Sequence, residues 1–396
     1  MAKTVGIVAE YNPFHKGHGY QLEYVKAAGF DRIAIAMSAS CVQRGEFAMF
    51  DKFFRSKSAV DCGANLVCEI PYPYSCFSAE GFAKSGVHIL KNLGADAICF
   101  GSESADIELL CSISEFLLSD EYSQNIKKLI SQNIPFATAR EKVITDAFSL
   151  NRKVITASND ILALEYIKEC KRLNWNVEFI PIKRCGAVYN QLSAKDGFAS
   201  ASGIRDAVSK FRFDFAAEYV PANISKATLS KLEQGDYFIA DSHFEKSVIA
   251  VLKKLSADDF LKLPDCNNEL AHAFENALVY ANSFESLFDC LPTKQYTRAR
   301  LRRIILFAYL GYDPEFPKLP PYIRILAMDK LGEEIIKNAH KISEIPISHS
   351  YRILQEKSNN CQKIIAAESY ATDMQSLFFK FSGDFRKDYT TKLYKK

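Results

Sequence analysis

The sequence predicts an α/β protein in which a parallel sheet covered by helices is followed by a mainly α-helical part. Three observations carry this. Short apolar runs at 5–9, 33–37, 66–70 and 97–100 are each separated by enough chain for a helix, the pattern of βαβ units buried on both faces. The intervening segments close alike, with Gly29, Gly63 and Gly94 standing where a helix C-terminus needs a left-handed residue. After about residue 211 the alternation stops. Apolar and charged residues then recur at helical spacing, broken at Pro221, Pro264, Pro292, Pro321 and Pro346. An α/β unit is therefore expected over 1–210 and a mainly helical unit over 211–396.

Taken in order, the first four strands alternate with helices expected at 18–28, 50–62 and 77–93. The stretch 105–133 reads as helical. A further helix is expected at 159–172 with Ser158 as its cap, then a strand within 175–181 and a loop at 183–190. The segment SASGIRDAVSK reads as a cap at Ser200 to Ser202 opening a helix. The basic tail 386–396 reads as added positive charge on disordered chain.

Composition excludes several classes. Of 396 residues 48% are hydrophobic and 24% charged, which rules out a disordered or fibrous chain. Fifty Lys and Arg against 47 Asp and Glu give +3, a balance that neither requires nor excludes a nucleic-acid partner. The 11 cysteines lie singly, with no C-x-x-C pair, and read as small buried hydrophobes in a reducing cytoplasm. No secretory leader and no apolar run of membrane-spanning length is seen, so a cytoplasmic protein without membrane partners is expected. Phe (29) and Tyr (19) far outnumber the lone Trp175; core filling explains most of them, with Tyr11, Phe14, Tyr20 and Tyr296 as candidate contact residues.

The chemistry concentrates in GIVAEYNPFHKGHGYQL, from Gly6 to Leu22. A strand ends near Ala9, the chain turns through Asn12 and Pro13, and His15 and His18 flank Lys16 and Gly17 at a helix start. Two imidazoles three residues apart there face one site, and free backbone N–H groups at a helix N-terminus favour an anion. This suits the α-phosphate of ATP, where fixed donors stabilise the charge that grows as pyrophosphate is displaced. Zinc is the competing reading, but two His without a nearby third His or Cys make a poor site.

The H-K-G-H segment resembles the H-x-G-H signature of the nucleotidyltransferase superfamily, which implies a Rossmann-like nucleotidyltransferase domain. With E-Y-N-P-F-H-K-G-H stand S-C-V-Q-R-G-E at 40–46, L-V-C-E-I-P at 66–71, F-G-S-E at 100–103, S-N-D-I-L-A-L-E-Y at 158–166, S-x-S-x-I-R at 200–205 and K-Q-Y-T-R-A-R-L-R-R at 294–303. Together they resemble the bacterial tRNA(Met) cytidine acetate ligase family. The sequence departs from that family at Phe47, where a proline is usual, and at Gln295, which interrupts a more basic pattern.

The resemblance implies an enzyme that activates acetate with magnesium-bound ATP as acetyl-adenylate, then transfers the acetyl group to N4 of the wobble cytidine of elongator tRNA(Met). It implies that Gly6, Ile7, Val8, Ala9, Glu10, Tyr11, Asn12, Pro13, Phe14, His15, Lys16, Gly17, His18, Gly19 and Tyr20 cradle ATP, with His15 and His18 catalytic. Gly101, Asn159, Arg184, Ser202 and Arg205 resemble further ATP contacts, although Ser158 to Asp160 also reads as a plain helix cap. Gln43, Arg44 and Glu46 form a polar cluster beyond the second strand. Arg44 there suits acetate, a phosphate or an RNA backbone. Lys294, Arg298, Arg300, Arg302 and Arg303, five positives in ten residues, suit a stripe along RNA phosphates. No metal ligands of the protein's own and no acyl-enzyme at Cys41 are required. The rival functions are a small-molecule adenylyltransferase or cytidylyltransferase, and a nucleotide-regulated tRNA-binding protein.

Overall fold

The computed structural model describes residues 2–132, 134–149, 157–183, 199–293, 295–380 and 385–396. Its strands are β1 (Thr4–Ala9), β2 (Arg32–Ser38), β3 (Cys41–Val42), β4 (Glu46–Phe47), β5 (Leu66–Ile70), β6 (Ala97–Ser102), β7 (Glu178–Lys183), β8 (Ile323–Met328), β9 (Ile347–Ser348) and β10 (Tyr394–Lys395). The large sheet runs β10-β8-β5-β2-β1-β6-β7, with β9 paired to β8, and β3 and β4 form a separate antiparallel hairpin.

The expected α/β class is observed. β5, β2, β1, β6 and β7 are mutually parallel, and the helices Lys16–Ala27, Lys52–Asp61 and Ala79–Asn92 connect them. Those helices close on Gly29, Gly63 and Gly94 at φ of 89°, 111° and 72°, the left-handed turn that starts each following strand. β1 packs tightly against its covering helix, because a Cβ on Gly86 would lie 2.6 Å from Val8 and one on Gly6 would lie 2.7 Å from Leu90. Strand order reverses at β1, which has β2 on one side and β6 on the other. The crevice beyond their carboxyl ends is therefore where an open α/β sheet takes its ligand.

Past residue 211 the helices expected from spacing occur, but the chain also returns to the sheet. β8 lies antiparallel to β5, and β10, in the tail read as disordered, runs parallel to β8. All six residues of β8 are buried. A short run that is buried on both faces and alternates in neither the strand nor the helix period, with its one charge, Arg324, buried and paired to Asp388, cannot be told as strand or helix from spacing alone. The helices between Ser242 and Leu310 bury a core of their own, which reaches Cys41, Phe47 and Tyr72 of the α/β part.

Candidate active site

β1 delivers the chain into a tight loop at the switch point. Tyr11 takes φ 48°, the Asn12–Pro13 peptide is cis, and Tyr11, Asn12 and Phe14 are buried. His15 then caps the helix Lys16–Ala27. Its Nδ1 accepts from the Gly17 N–H at 3.0 Å, and His18 Nδ1 accepts from the His15 N–H at 3.2 Å. The two rings stack at 3.8 Å, and Tyr11 and Phe14 contact His18 at 4.7 and 5.5 Å between centroids. A neutral ring that accepts at Nδ1 carries its proton on Nε2, so the capping geometry makes both histidines Nε2–H donors.

The backbone N–H groups expected to meet an anion are already engaged. Lys16 donates to the Tyr219 carbonyl at 2.9 Å, Gly17 to His15 Nδ1, and His18 and Gly19 to the His15 carbonyl. Donation to an anion at this end accordingly falls to side chains. Of the cradle segment, Gly6 and Ile7 lie within the sheet and support the loop, whereas Ala9, Lys16, Gly19 and Tyr20 are at least partly exposed and Glu10 turns its carboxylate inward to the Gln43 N–H. Pro13 lines a small cleft with Phe14 and Arg55.

The hairpin β3–β4 leans over this loop. Glu10 accepts from the Gln43 N–H at 3.0 Å, and Asn12 Oδ1 accepts from the Met49 N–H at 2.7 Å. Burial raises the Glu10 carboxyl pKa, against the pull of Arg44 and Arg205 and with the push of Glu46. Arg205, on the helix Ala201–Ser209, donates to the Asn12 carbonyl at 2.7 Å and pairs with Glu46 at 3.1 Å. Ser200 caps that helix, accepting from the Gly203 N–H at 3.1 Å, and its hydroxyl lies 3.0 Å from that of Ser202. The expected S-x-S-x-I-R element thus meets the histidine loop.

Gly101 and Asn159 lie on the β6 side. Gly101 is half-buried near the end of β6. Asn159 Nδ2 donates to Glu103 Oε1 at 2.6 Å, and Asp160 N–H donates to Glu103 Oε2 at 3.0 Å. Buried Asp160 answers by accepting from Glu103 N–H at 3.0 Å and Ser104 N–H at 3.1 Å. Ser158 is therefore not the cap. The N-cap is Ala157, which makes no side-chain cap bond, and the helix start is satisfied by a carboxylate from the β6 loop. Arg184 and Lys294 lie outside the described residues.

The basic helix Arg298–Leu310 is less uniform than its sequence suggests. Arg298 and Arg302 are exposed, and Arg300 donates to the Asp265 carbonyl at 2.8 Å while covering the Tyr296 ring at 4.8 Å. Arg303 is a correction to the expected stripe: it is 7% exposed and binds Asp265 through two nitrogens at 3.1 and 2.8 Å. It anchors the helix instead of facing solvent, because it lies on the helix side that packs on the protein.

Sequence reasoning missed two supports. Arg55 is buried and donates to the carbonyls of Glu10 at 2.7 Å, Ser38 at 2.8 Å, Phe50 at 2.9 Å and Ala39, tying the ends of β1 and β2 together. Burial pushes its guanidinium down to about 10, so it stays charged at neutral pH. The available signal was a cation on the same helical face as buried Ser56, Ala59 and Val60. The second is Gly45, at φ 74°, where a Cβ would lie 2.4 Å from the backbone nitrogen of Arg303. Only glycine lets the hairpin and the basic helix meet backbone to backbone.

Among the described residues no helix is long and apolar enough to cross a membrane, and no group of three His, Cys, Asp or Glu is placed to hold a metal. A sheet reversing at β1, with paired histidine donors at its carboxyl edge, is the arrangement of a nucleotidyl transferase. A family model of the HIGH nucleotidyl transferase accordingly matches residues 2–389. The tRNA(Met) cytidine acetate ligase of Thermoanaerobacter sp. (strain X514) is 33% identical over 387 residues, 96% of each chain, and that of Clostridium tetani (strain Massachusetts / E88) is 33% identical over 86% of this chain and 89% of its own. The crystal structure of Thermotoga maritima TmcAL bound with alpha-thio ATP, 28% identical, superimposes with a TM-score of 0.91 over 100% of both chains, and the apo form gives 0.92. The chain belongs to the tRNA(Met) cytidine acetate ligase family of enzymes.

Proposed function

We propose that this enzyme activates acetate with ATP and acetylates N4 of the wobble cytidine of elongator tRNA(Met), in the cytoplasm. The observation that supports this reading most is the paired histidine cap at the sheet's switch point, with both Nδ1 atoms occupied by backbone donors. An acetate oxygen attacks the α-phosphorus, and the bond from that phosphorus to the pyrophosphate oxygen breaks. Nε2–H of His15 and His18 meet the charge growing on the non-bridging oxygens. Magnesium enters with the triphosphate as part of the substrate. Arg205 and Ser202, and Arg184 beyond the described residues, attend the phosphates, while Gly101 and Asn159 border the nucleotide from the β6 side. The cytidine amine then attacks the acetyl carbonyl, the carbonyl-to-AMP oxygen bond breaks, and the amine gives up a proton. Exposed Arg298 and Arg302, with Arg300, hold the RNA backbone. Gln43 and Arg44, on the hairpin beside Glu10, serve acetate, a phosphate or the RNA backbone.

The adenylation half is tested by acetate-dependent exchange of labelled pyrophosphate into ATP. Wild type is expected to exchange only when acetate is present, and His18→Ala to lose on the order of a hundredfold or more in rate, the cost of removing one fixed donor. Exchange that ignores acetate, or a His18→Ala variant as fast as wild type, contradicts the reading.

A further inference from the structure

Glu46 stands between the two halves of the site. One carboxylate oxygen lies 3.1 Å from Arg205 Nη2 and the other 3.9 Å from Arg302 Nη1. Arg205 reaches on to the Asn12 carbonyl in the histidine loop, and Arg302 is an exposed position of the basic helix. The hairpin that carries Glu46 cannot drift from that helix, because Gly45 abuts the backbone of Arg302 and Arg303. It cannot drift from the histidine loop either, because Gln43 and Met49 donate to Glu10 and Asn12. One carboxylate is thus shared between a cation on the nucleotide side and a cation on the RNA side, within a frame that is rigid on both.

We propose that Glu46 is a positioning residue that makes triphosphate and tRNA binding mutually weakening, so that RNA seats best once pyrophosphate has left. This rests on the reading of Arg205 as a phosphate contact and Arg302 as an RNA contact. When a phosphate takes Arg205, the Glu46 carboxylate is left to Arg302 and neutralises it toward RNA. When an RNA phosphate takes Arg302, the same carboxylate is left to Arg205 and neutralises it toward ATP. Linkage requires the two effects to be equal. Both arginines are partly exposed, so the coupling has the size of an exposed ion pair, about three- to fivefold in affinity.

The test measures the dissociation constant of magnesium-ATP, without acetate, in the absence and presence of saturating elongator tRNA(Met) at fixed ionic strength. In the wild type tRNA is expected to weaken ATP about threefold or more. In Glu46→Gln and in Arg302→Gln the ratio is expected to fall close to one. Long-range repulsion between two polyanions would survive either substitution, and a merely structural Glu46 would lower thermal stability and leave the ratio alone. A wild type with a ratio of one, or variants that keep the wild-type ratio, overturns the proposal. If Glu46→Gln does not fold, Arg302→Gln, altered on an exposed side chain, carries the same prediction. A wild type that shows the coupling yet never acetylates RNA overturns the reading of the reaction and leaves this one standing.

Discussion

Gly17 shows how closely the two histidines are held. A Cβ at this position would lie 2.9 Å from His15 Cε1 and 3.1 Å from its Nδ1, so the stacked imidazole occupies the space that any side chain needs. The glycine is required by the ring beside it, since it sits in ordinary helix. Gly17→Ala is expected to leave the helix intact while tilting His15 off His18. A sub-ångström to one-ångström displacement of a fixed donor should cost about ten- to a hundredfold in the rate of pyrophosphate exchange. Steady-state exchange kinetics beside a circular dichroism melt check this; an unchanged rate with an unchanged melt contradicts it. His15 and His18 were legible in the sequence because the motif is contiguous. Their tautomers were not, because those depend on which backbone N–H each ring accepts from.

The C-terminal tail, read from its charges as disordered, is an element of the sheet. Lys387 pairs with Asp51, the cap of the helix that follows the hairpin, at 3.3 Å. Asp388 pairs with Lys52 at 2.7 Å and with Arg324, and Tyr394 donates to Asp61 at 2.6 Å. For Asp51, burial raises the carboxyl pKa, but Lys387, the Phe54 N–H and Lys231 together hold it below its ordinary 3.8. For Asp388, burial is likewise outweighed, by Lys52 and Arg324. A carboxylate whose pKa is lower folded than unfolded contributes stability that is complete above the unfolded value and is lost as pH falls through the folded one. Below about pH 3.8 the tail is therefore expected to lose its hold. Glu69 in the same network is shifted the other way by burial, so the acid loss rests on the two aspartates. Hydrogen exchange should show the Lys396 amide, which donates to Met328, losing protection on acidification before the amides of β1 do. Protection that both lose together as pH falls below 3.8, or that the tail keeps longer than β1, contradicts this reading. The tail's place was hard to see in sequence because the partners of Lys387, Asp388 and Tyr394, namely Asp51, Lys52 and Asp61, lie more than three hundred residues earlier, and Arg324 lies in β8, whose strand character spacing did not reveal.

Across the whole molecule, one buried network binds segments from both ends of the chain. Lys52 meets Glu368 at 2.9 Å and Glu69 at 3.3 Å, Tyr351 donates to Glu69 at 2.6 Å, and Ser40 at the base of the hairpin donates to Glu368 at 2.8 Å. The near-neutral balance of +3 therefore conceals two arrangements: charges buried in pairs that brace the hairpin, and the exposed Arg298 and Arg302. The large Phe content follows the same division. Phe244 packs edge-on against Phe238, Phe284, Phe378 and Tyr309 in the helical core, and that cluster supports the hairpin through Phe47. The alternation of the first hundred residues made the sheet legible, because each βα unit is written locally. The bracing was not, because Arg55, Gly45 and the Glu103–Asp160 exchange acquire meaning only from partners distant in the chain. On the proposed reaction, one chain joins adenylation to RNA acetylation. This is tested most directly by incubating the protein with labelled acetate, magnesium, ATP and elongator tRNA(Met), then digesting the RNA to nucleosides. Label is expected in N4-acetylcytidine from the wobble position, dependent on ATP and on His18. Label absent from RNA, in a preparation that exchanges pyrophosphate with acetate present, would contradict it.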